Sequence, residues 1–302
     1  MTALSVVWAP EYEVDIGPHV FPTSKYRLVR ERLLEDGTVE EGHLRRPAAA
    51  TREELLRIHG SGYLNRVLEG KLTRREERLL ELPFSPALRA ASLLCCGGTL
   101  LTGRLALEHG VAVHLGGGFH HAFADHGEGF CLLNDVAVAA AGLRAEGLAR
   151  RVAVVDLDVH HGNGTASIFQ GEPDVYTFSM HQERNYPFPK PASDLDVGLD
   201  DGVADRRYLE LLDRALDRVL DEGRPEVALY LAGADPYRED QLGGLALSMQ
   251  GLASRDQRVL DRLGEAGVAV GLVLAGGYAR RLSDTVEIHC NSVRAAARAV
   301  TT

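Results

Sequence analysis

Short apolar runs rich in valine alternate with longer segments of helical period along most of this 302-residue chain. Six of these runs are too short for most helices and are typical of strands that are buried on both faces of a sheet. They lie at residues 5–8, 111–115, 152–157, 175–180, 227–232 and 268–275. Because strands that alternate with helices are joined by right-handed crossovers, the pattern predicts an α/β fold, with a mainly parallel central sheet in three α/β/α layers.

The segments between the apolar runs carry helical patterns and cap signals. Apolar residues recur at three- and four-residue spacing over 205–222, which predicts an amphipathic helix. Thr51 followed by Glu54 fits a capping box, and Ser85 before Pro86 fits an N-cap with a proline in the first turn. We see no linker and no internal repeat.

One stretch departs from this alternation. Residues 194–204 show neither an apolar run nor a helical period, and we predict a surface loop there.

Charge and cysteine content narrow the classes of partner. The chain has a formal net charge of −10 and no block of lysine or arginine, which argues against direct nucleic-acid binding. An acidic surface could help attract a cationic substrate such as a lysine-rich peptide or a polyamine. The four cysteines lack C-x-x-C spacing, which predicts reduced core residues and a cytoplasmic protein.

Neither secretion nor membrane insertion is expected. The N-terminal stretch 1–10 lacks the features of a signal peptide, and no run of 18 apolar residues occurs. The sequence predicts no particular oligomeric state.

Polar or glycine-rich sequence follows five of the six apolar runs. The five segments are LGGGFHH, DVHHGNG, SMHQERNYPFPKP, GADPYREDQLGG and AGGYARR. The carboxyl ends of parallel strands meet at one edge of a sheet, and ligands bind in the loops there. We therefore expect a composite functional site at this edge.

Asp158 and His160 form a D-x-H pair directly after one apolar run. Side chains two residues apart in extended backbone point to the same side, so the carboxylate and the imidazole can ligate one cation. Asp235, at the end of LYLAGAD, can supply a third ligand, and three ligands leave a position open, as in a catalytic zinc site. The alternative is an ion pair that needs no metal.

Two adjacent histidines, His120 and His121, follow the glycines of GGGF. They suit proton transfer near neutral pH if a carboxylate or an amide fixes the second nitrogen of each ring, and Asp156 and Asn163 are the candidates. They could equally be loop residues that water satisfies. Tyr278, after AGG, is either an oxyanion donor or an ordinary loop aromatic.

Four motifs taken in order resemble the site motifs of the histone deacetylase family, which includes acetylpolyamine amidohydrolases and acetoin-utilisation proteins. They are HLGGGFHHAFADHGEGFCLLND, VVDLDVHHGNGT, LYLAGADPYREDQLGGL and LVLAGGY. The resemblance extends from Val6 to about Arg298 and implies one catalytic domain over residues 1–302 with an arginase/deacetylase-like fold. Among the branches of the family, the motifs are most similar to those of the class IV deacetylases.

The resemblance assigns roles to the candidate residues. It implies a zinc ion with three protein ligands: Asp158, His160 and Asp235. His121 would be the general base that deprotonates the attacking water and then assists the leaving amine. His120 would act as an electrostatic partner that is hydrogen-bonded to Asp156. Tyr278 would polarise the acyl carbonyl and stabilise the oxyanion.

The resemblance also implies a channel and a second ion. Phe130 and Phe188 would form the walls of a narrow channel for an acyl-lysine-like stem, with the Gly129 carbonyl near it. A structural potassium ion would be held by the Asp156 carboxylate and by main-chain oxygens. Those oxygens belong to Asp158, His160, Ser179 and Met180.

Two departures from the family pattern affect the base and the tyrosine. Asn163 stands where many members have an aspartate, and an amide cannot raise the pKa of His121 by charge, so we predict that His121 loses its proton more easily. Two glycines, rather than a longer run, precede Tyr278.

The sequence therefore predicts a zinc-dependent amidohydrolase that removes acetyl or longer acyl groups from the side-chain nitrogen of acyl-lysine. Iron(II) could replace zinc, because aspartate and histidine ligands do not select zinc uniquely. An acylated polyamine or another small acylated amine is the alternative substrate. A non-catalytic metalloprotein that binds acyl-lysine is disfavoured, because it would have no use for the base and the oxyanion donor.

Overall fold

The computed structural model describes residues 4–301, so the first three residues of the N-terminal stretch lie outside the described residues. Eight strands form one sheet: β1 (Ser5–Val7), β2 (Leu44–Arg45), β3 (Val111–His114), β4 (Val152–Asp156), β5 (Val175–Gln182), β6 (Leu195–Leu199), β7 (Val227–Leu231) and β8 (Ala269–Val273). Their order is β2-β1-β3-β8-β7-β4-β5-β6, and every neighbouring pair is parallel. The predicted parallel sheet is confirmed.

Ten α-helices accompany the sheet in the described part of the chain. They are α1 (Lys25–Glu35), α2 (Arg52–Leu56), α3 (Ser61–Glu69), α4 (Arg74–Leu80), α5 (Pro86–His109), α6 (Asp135–Ala145), α7 (Asn163–Phe169), α8 (Asp205–Arg218), α9 (Met249–Glu265) and α10 (Leu282–Thr301). A π-helical turn, Val219–Gly223, extends α8, so the predicted helix over 205–222 is confirmed.

The central strands are buried on both faces, which explains their continuous apolar runs. In β4, Val152 and Val154 belong to one buried cluster together with residues of α5 and α6. Ala153 and Val155 belong to a second cluster that includes residues of α8, α9 and α10. Because side chains alternate between the two faces of a strand, an apolar residue is needed at every position.

The caps that were read from the sequence form as predicted. The Thr51 hydroxyl accepts the Glu54 N–H at 3.2 Å, and the Glu54 carboxylate accepts the Thr51 N–H at 2.7 Å. The Ser85 hydroxyl accepts the Leu88 N–H at 3.1 Å, and Pro86 occupies the first turn of α5. Each cap satisfies backbone donors that the helix itself leaves unpaired.

The prediction of a surface loop over 194–204 is wrong for its first half, which forms the edge strand β6. Leu195 pairs with Phe178 of β5, and Leu199 pairs with Gln182. Only Leu195 and Leu199 of this strand are buried, and Asp196 and Gly198 interrupt the apolar pattern. An edge strand buries less of its surface than a central one, so the sequence gives a weaker signal there.

Among the described helices, α5 is long and apolar enough to cross a membrane by length and composition alone. In this structure, 61% of its most apolar 18-residue stretch is buried inside the protein. The helix packs against β3, β8 and α6, and this packing accounts for its apolar composition.

Candidate active site

Loops at the carboxyl ends of five neighbouring strands surround two adjoining cavities. The inner cavity is lined by His120 and His121 after β3, by Asp158 and His160 after β4, and by Tyr278 after β8. The outer cavity shares part of that lining and adds residues from other loops: Glu81, Asn185, Tyr186 and Leu242. Residues that are far apart in the chain therefore face one space at the predicted edge of the sheet.

The three predicted metal ligands lie together at the floor of this site. One ligand atom from each of Asp158, His160 and Asp235 lies within 4.8 Å of the other two. Nδ1 of His160 is 3.0 Å from Oδ1 of Asp158 and 3.5 Å from Oδ2 of Asp235. All three side chains are buried.

Backbone donors fix the orientation of both carboxylates. Asp235 Oδ1 accepts the Val159 N–H at 2.9 Å, and Asp158 Oδ2 accepts the Gly276 N–H at 2.8 Å. A Cβ atom at Gly276 would lie 2.0 Å from Asp235 Oδ2, so only glycine allows the AGG loop to pass this close to the ligands. The loop after β8 therefore helps to hold the ligands that come from β4 and β7.

The charges of the cluster fit a bound cation. Asp235 Oδ2 is buried and has no hydrogen-bond partner among the described residues. Burial and the neighbouring Asp158 carboxylate raise the pKa of Asp235 to about 7. Two buried carboxylates side by side are costly without a positive charge, and a divalent ion supplies one. The donor set of two carboxylates and one imidazole suits zinc or iron(II).

The histidine pair is held by two different partners. Nδ1 of His120 is 2.6 Å from Oδ2 of Asp156, and Nδ1 of His121 is 2.8 Å from Oδ1 of Asn163. The two Nε2 atoms are 3.1 Å apart. The sequence predicted both partners, and the structure places each at hydrogen-bond distance.

The two histidines differ in the direction of their pKa shifts. Burial lowers the pKa of His120, but the Asp156 and Asp158 carboxylates outweigh it and raise that pKa to about 9. Burial and the neighbouring His120 and His160 rings hold the pKa of His121 well below its ordinary value. At neutral pH, His121 is therefore neutral and can accept a proton, whereas His120 is positively charged.

Tyr278 is positioned by the carboxylate of Asp240, which was not predicted from the sequence as a site residue. Asp240 Oδ2 accepts the Tyr278 N–H at 2.7 Å, and the other Asp240 oxygen accepts the N–H groups of Leu242 and Gly243. Burial and the Asp158 and Asp235 carboxylates raise the pKa of Tyr278 well above its ordinary value, so its hydroxyl keeps its proton. It can therefore donate to an oxyanion in the cavity.

Asp135 is a second site residue that was not predicted from the sequence. It fixes the glycine loop that precedes His120 and His121. Its carboxylate accepts the Gly118 N–H at 3.0 Å and the Phe119 N–H at 2.7 Å, and the Thr99 hydroxyl also donates to it. Gly118 has a φ of +86°, and a Cβ atom there would lie 2.5 Å from the Cα atom of Ala275. The N-D pair that begins α6 was the available sequence signal, since Asn134 caps this helix.

A model of the histone deacetylase domain matches residues 19–293. The chain belongs to the histone deacetylase family. An uncharacterised protein of Picosynechococcus sp. strain PCC 7002 is 43% identical over 96% of this chain and 97% of its own length. Histone deacetylase 2 of Arabidopsis thaliana is 31% identical over 95% of this chain and 79% of its own length.

Solved structures agree with this assignment. The crystal structure of a histone deacetylase homologue from Aquifex aeolicus matches with a TM-score of 0.80 and 27% identity, over 96% of this chain and 82% of that one. The protein is thus a deacetylase-type hydrolase that acts on amide bonds, with the arginase/deacetylase-like α/β fold. Histone deacetylases are generally metal-dependent, in line with the ligand cluster.

The aromatic lining of the two cavities differs from the sequence prediction for this member of the family. Phe130 and Gly129 line both cavities. Phe188, by contrast, is 72% exposed, and the ring lies 4.2 Å from the Lys190 ammonium, outside both cavities. Tyr186 lines the outer cavity instead, with its ring centroid 5.0 Å from that of His121.

The inward position of Tyr186 has a physical cause. Its hydroxyl donates to Glu128 at 2.8 Å, whereas the Phe188 ring has no polar atom to anchor it and packs under a lysine on the surface. The sequence prediction named Phe188 of NYPFP and not Tyr186, because the contact of Tyr186 with Glu128 exists only in the folded chain.

His161, adjacent to the predicted ligand His160, faces away from the cavity. Its Nε2 is 3.1 Å from Asp196 on β6, and its ring centroid is 4.6 Å from that of His181. Ser179, which the resemblance assigns to a potassium site, places its hydroxyl 3.0 Å from Nδ1 of the same His181. His161 therefore supports β5 and β6 and does not line the reaction space.

Replacing Tyr186 and Phe188 separately by alanine tests the lining. We expect Tyr186→Ala to raise the KM of an acyl-lysine substrate by about 10-fold or more, because an apolar channel wall is lost. Phe188→Ala, the matched aromatic two residues away, should change KM by less than about twofold, because its ring is largely in solvent. Steady-state kinetics with one acyl-lysine peptide measures both KM values. A larger rise in KM for Phe188→Ala than for Tyr186→Ala would show that Phe188 lines the channel.

Proposed function

We propose that this protein is a zinc-dependent amidohydrolase that removes acetyl or longer acyl groups from the side-chain nitrogen of acyl-lysine. The observation that carries the proposal is the common lining of one buried cavity. It brings together Asp158 and His160 of the proposed metal triad, a neutral histidine and a protonated tyrosine, and Asp235 lies beside the first two residues. The proposal treats residues 1–302 as a single catalytic domain of a cytoplasmic protein.

Asp158, His160 and Asp235 would hold the zinc ion. A zinc ion at this position supplies Lewis acidity toward water and toward the acyl carbonyl. His121 accepts the proton of the attacking water at Nε2, since its Nδ1 is engaged by Asn163. The proton then passes from His121 to the leaving amine. His120, positively charged beside Asp156, stabilises the negative charge that develops, and the Tyr278 hydroxyl donates to the oxyanion.

The lining of the outer cavity supports a substrate in which the acylated nitrogen ends an aliphatic stem and other amino groups are cationic. Phe130 and Tyr186 provide apolar walls for an aliphatic stem, and the acidic residue Glu81 belongs to the outer lining. A lysine-rich peptide and a polyamine both satisfy this chemistry. We propose the peptide as the primary substrate and treat acetylpolyamines as the alternative outcome of the test.

The test pairs metal analysis of the purified protein with a screen of three substrate sets. The sets are acetyl-lysine peptides, longer-acyl-lysine peptides and acetylpolyamines. We expect about one zinc ion per chain and release of acylate from lysine peptides. Preferential turnover of acetylpolyamines would select the alternative substrate. Failure to turn over any set with a full metal content would overturn the enzymatic proposal and favour a binding protein.

Asn163→Asp tests how the residue at position 163 sets the pKa of His121. His121 works only when it is unprotonated, so activity is lost as the pH falls through its pKa. An aspartate would stabilise the protonated ring and should move the acidic limb of the pH–rate profile upward by about one unit. In a Glu128→Gln background, which lacks the neighbouring carboxylate, the shift should report the substitution at position 163 alone. An acidic limb that lies higher in the wild type than in the variant would contradict this prediction.

We also propose a structural potassium ion on the far side of the Asp156 carboxylate. Parallel pairing of β4 and β5 places Asp156 beside Ser179, next to Met180, and all three residues are buried. Main-chain oxygens of Asp158 and His160 would complete the site. A bound cation would offset the cost of burying this carboxylate.

A further inference from the structure

Glu128 lies behind the proposed base and has no place in the mechanism above. Its side chain is 19% exposed. Its Oε1 accepts hydrogen bonds from Nδ2 of Asn163 and from the hydroxyl of Tyr186, both at 2.8 Å, and its Oε2 is 3.4 Å from Nε2 of His126. Its backbone exchanges two hydrogen bonds with Cys131, which fixes the turn that carries it. Glu128 is therefore held against Asn163.

The partner of the base, Asn163, can adopt two orientations of nearly equal shape. An amide carries an acceptor oxygen on one side and a donor NH₂ group on the other, and a half-turn about its last torsion exchanges them. In this structure, Oδ1 faces Nδ1 of His121 and Nδ2 faces Glu128. An ionised carboxylate only accepts hydrogen bonds, so the reversed amide would place two acceptors against each other.

The orientation of Asn163 decides the tautomer of His121. With Oδ1 toward the ring, Nδ1 of His121 carries the proton and Nε2 keeps its lone pair for the reaction. With the NH₂ group toward the ring, Nδ1 would have to accept, and the proton would move to Nε2. That proton would then face Nε2 of His120 at 3.1 Å, where the protonated His120 carries a proton of its own, so the reversed amide sets donors against both nitrogens of the His121 ring.

We infer that Glu128 is a positioning residue for the base: it holds the Asn163 amide with Oδ1 toward His121 and so keeps Nε2 of His121 free to accept a proton. The inference rests on the proposed function, which makes His121 the base. An aspartate in place of Asn163 would need no such partner, because both of its oxygens are acceptors. Asn163 and Glu128 thus act as one unit, in which the carboxylate determines the direction of the amide.

A double-mutant cycle tests the inference by kinetics. Glu128→Ala should lower kcat about fivefold or more, because a share of the molecules then holds the inactive tautomer. Glu128→Gln should restore most of that loss, since its amide oxygen still accepts from Asn163. In an Asn163→Asp background, Glu128→Ala should change kcat by less than about twofold or raise it, because two like charges are separated. An equal loss in both backgrounds would overturn the inference.

A second measurement does not depend on turnover. Long-range ¹H–¹⁵N correlation spectra of the imidazole rings report which nitrogen of each histidine carries a proton, and His121→Ala identifies the His121 signals. We expect protonation at Nδ1 in the wild type, a mixture of tautomers in Glu128→Ala, and protonation at Nδ1 again in the double variant Glu128→Ala/Asn163→Asp. An unchanged tautomer in Glu128→Ala would overturn the inference.

The two readouts separate this inference from the proposed function. If the wild type hydrolyses none of the three substrate sets, the proposed function fails, and the spectra still decide the role of Glu128. If the wild type is active but the tautomer does not respond to Glu128→Ala, only the inference fails. His126→Gln is the control, because it alters the contact at Oε2 of Glu128 and leaves the Asn163 contact in place. It should reproduce the wild-type spectrum, and a tautomer shift there would count against the inference.

Discussion

Replacing Asp235 by asparagine should lower kcat for acyl-lysine hydrolysis by about 1,000-fold and reduce the zinc content of the purified protein. Lewis-acid activation supplies several kcal/mol of transition-state stabilisation, and each 1.36 kcal/mol corresponds to a factor of ten. Asparagine keeps the shape of the side chain and can still accept the Val159 N–H, so the fold should persist. Elemental analysis and steady-state kinetics on the same preparation measure both effects.

Asp196 provides the matched control for this substitution. It belongs to a second group of possible metal ligands, formed with His161 and His181 near the β5–β6 edge. Asp196→Asn should leave the zinc content and kcat within about twofold of the wild type, because that group already pairs through hydrogen bonds outside the cavity. Loss of zinc in Asp196→Asn, with retention in Asp235→Asn, would move the metal site to the edge of the sheet.

Asp235→Asn should also change stability in a way that depends on the metal. In protein stripped of metal, the substitution removes one of two buried like charges, so the variant should melt at a higher temperature than the wild type. With zinc present the order should reverse, because the ion binds the folded wild type more tightly. Thermal melts with and without a chelator check both signs, and a wild type that is more stable under both conditions would contradict the electrostatic argument.

His121→Ala should lower kcat by about 100- to 10,000-fold, the range expected for loss of a general base. The zinc content should stay unchanged, because His121 is not among the three ligands that meet at the floor of the cavity. Kinetics at the pH optimum, together with metal analysis and a thermal melt, separate loss of chemistry from loss of the site.

His120→Ala is the comparison that assigns the base. The raised pKa of His120 makes it a charge partner and a poor proton acceptor, so its replacement should cost less in kcat than that of His121. Added imidazole should restore part of the activity of His121→Ala if the ring alone is missing. A larger loss in His120→Ala than in His121→Ala would exchange the two roles.

The site residues that were predicted from the sequence are those whose positions follow from their place at the end of a strand. Asp158 and His160 follow a strand directly, and their two-residue spacing fixes their common direction without knowledge of any other element. Asp235 and Tyr278 follow equivalent strands, and a parallel sheet brings such ends to one edge. The motif order then gave the family, which the comparisons confirm.

The parts that were missed depend on contacts between loops that are far apart in the chain. Asn163 and Tyr186 both meet Glu128, across 35 and 58 positions, and Asp240 reaches the backbone of Tyr278 across 38. No periodicity or cap signal encodes such a contact. The sequence prediction named Phe188, and it could not foresee that Tyr186 has a half-buried partner, Glu128, that holds it at the cavity.

The sequence by itself determined the parallel sheet, the edge where the candidate site lies, the three candidate metal ligands and the histidine pair, because strand period and strand-end chemistry are properties of consecutive residues. Only the tertiary structure decided which aromatic lines the channel, which carboxylate orients Asn163, and that residues 195–199 form an edge strand. Those outcomes follow from side-chain hydrogen bonds and strand pairing between segments that meet only after the chain has folded.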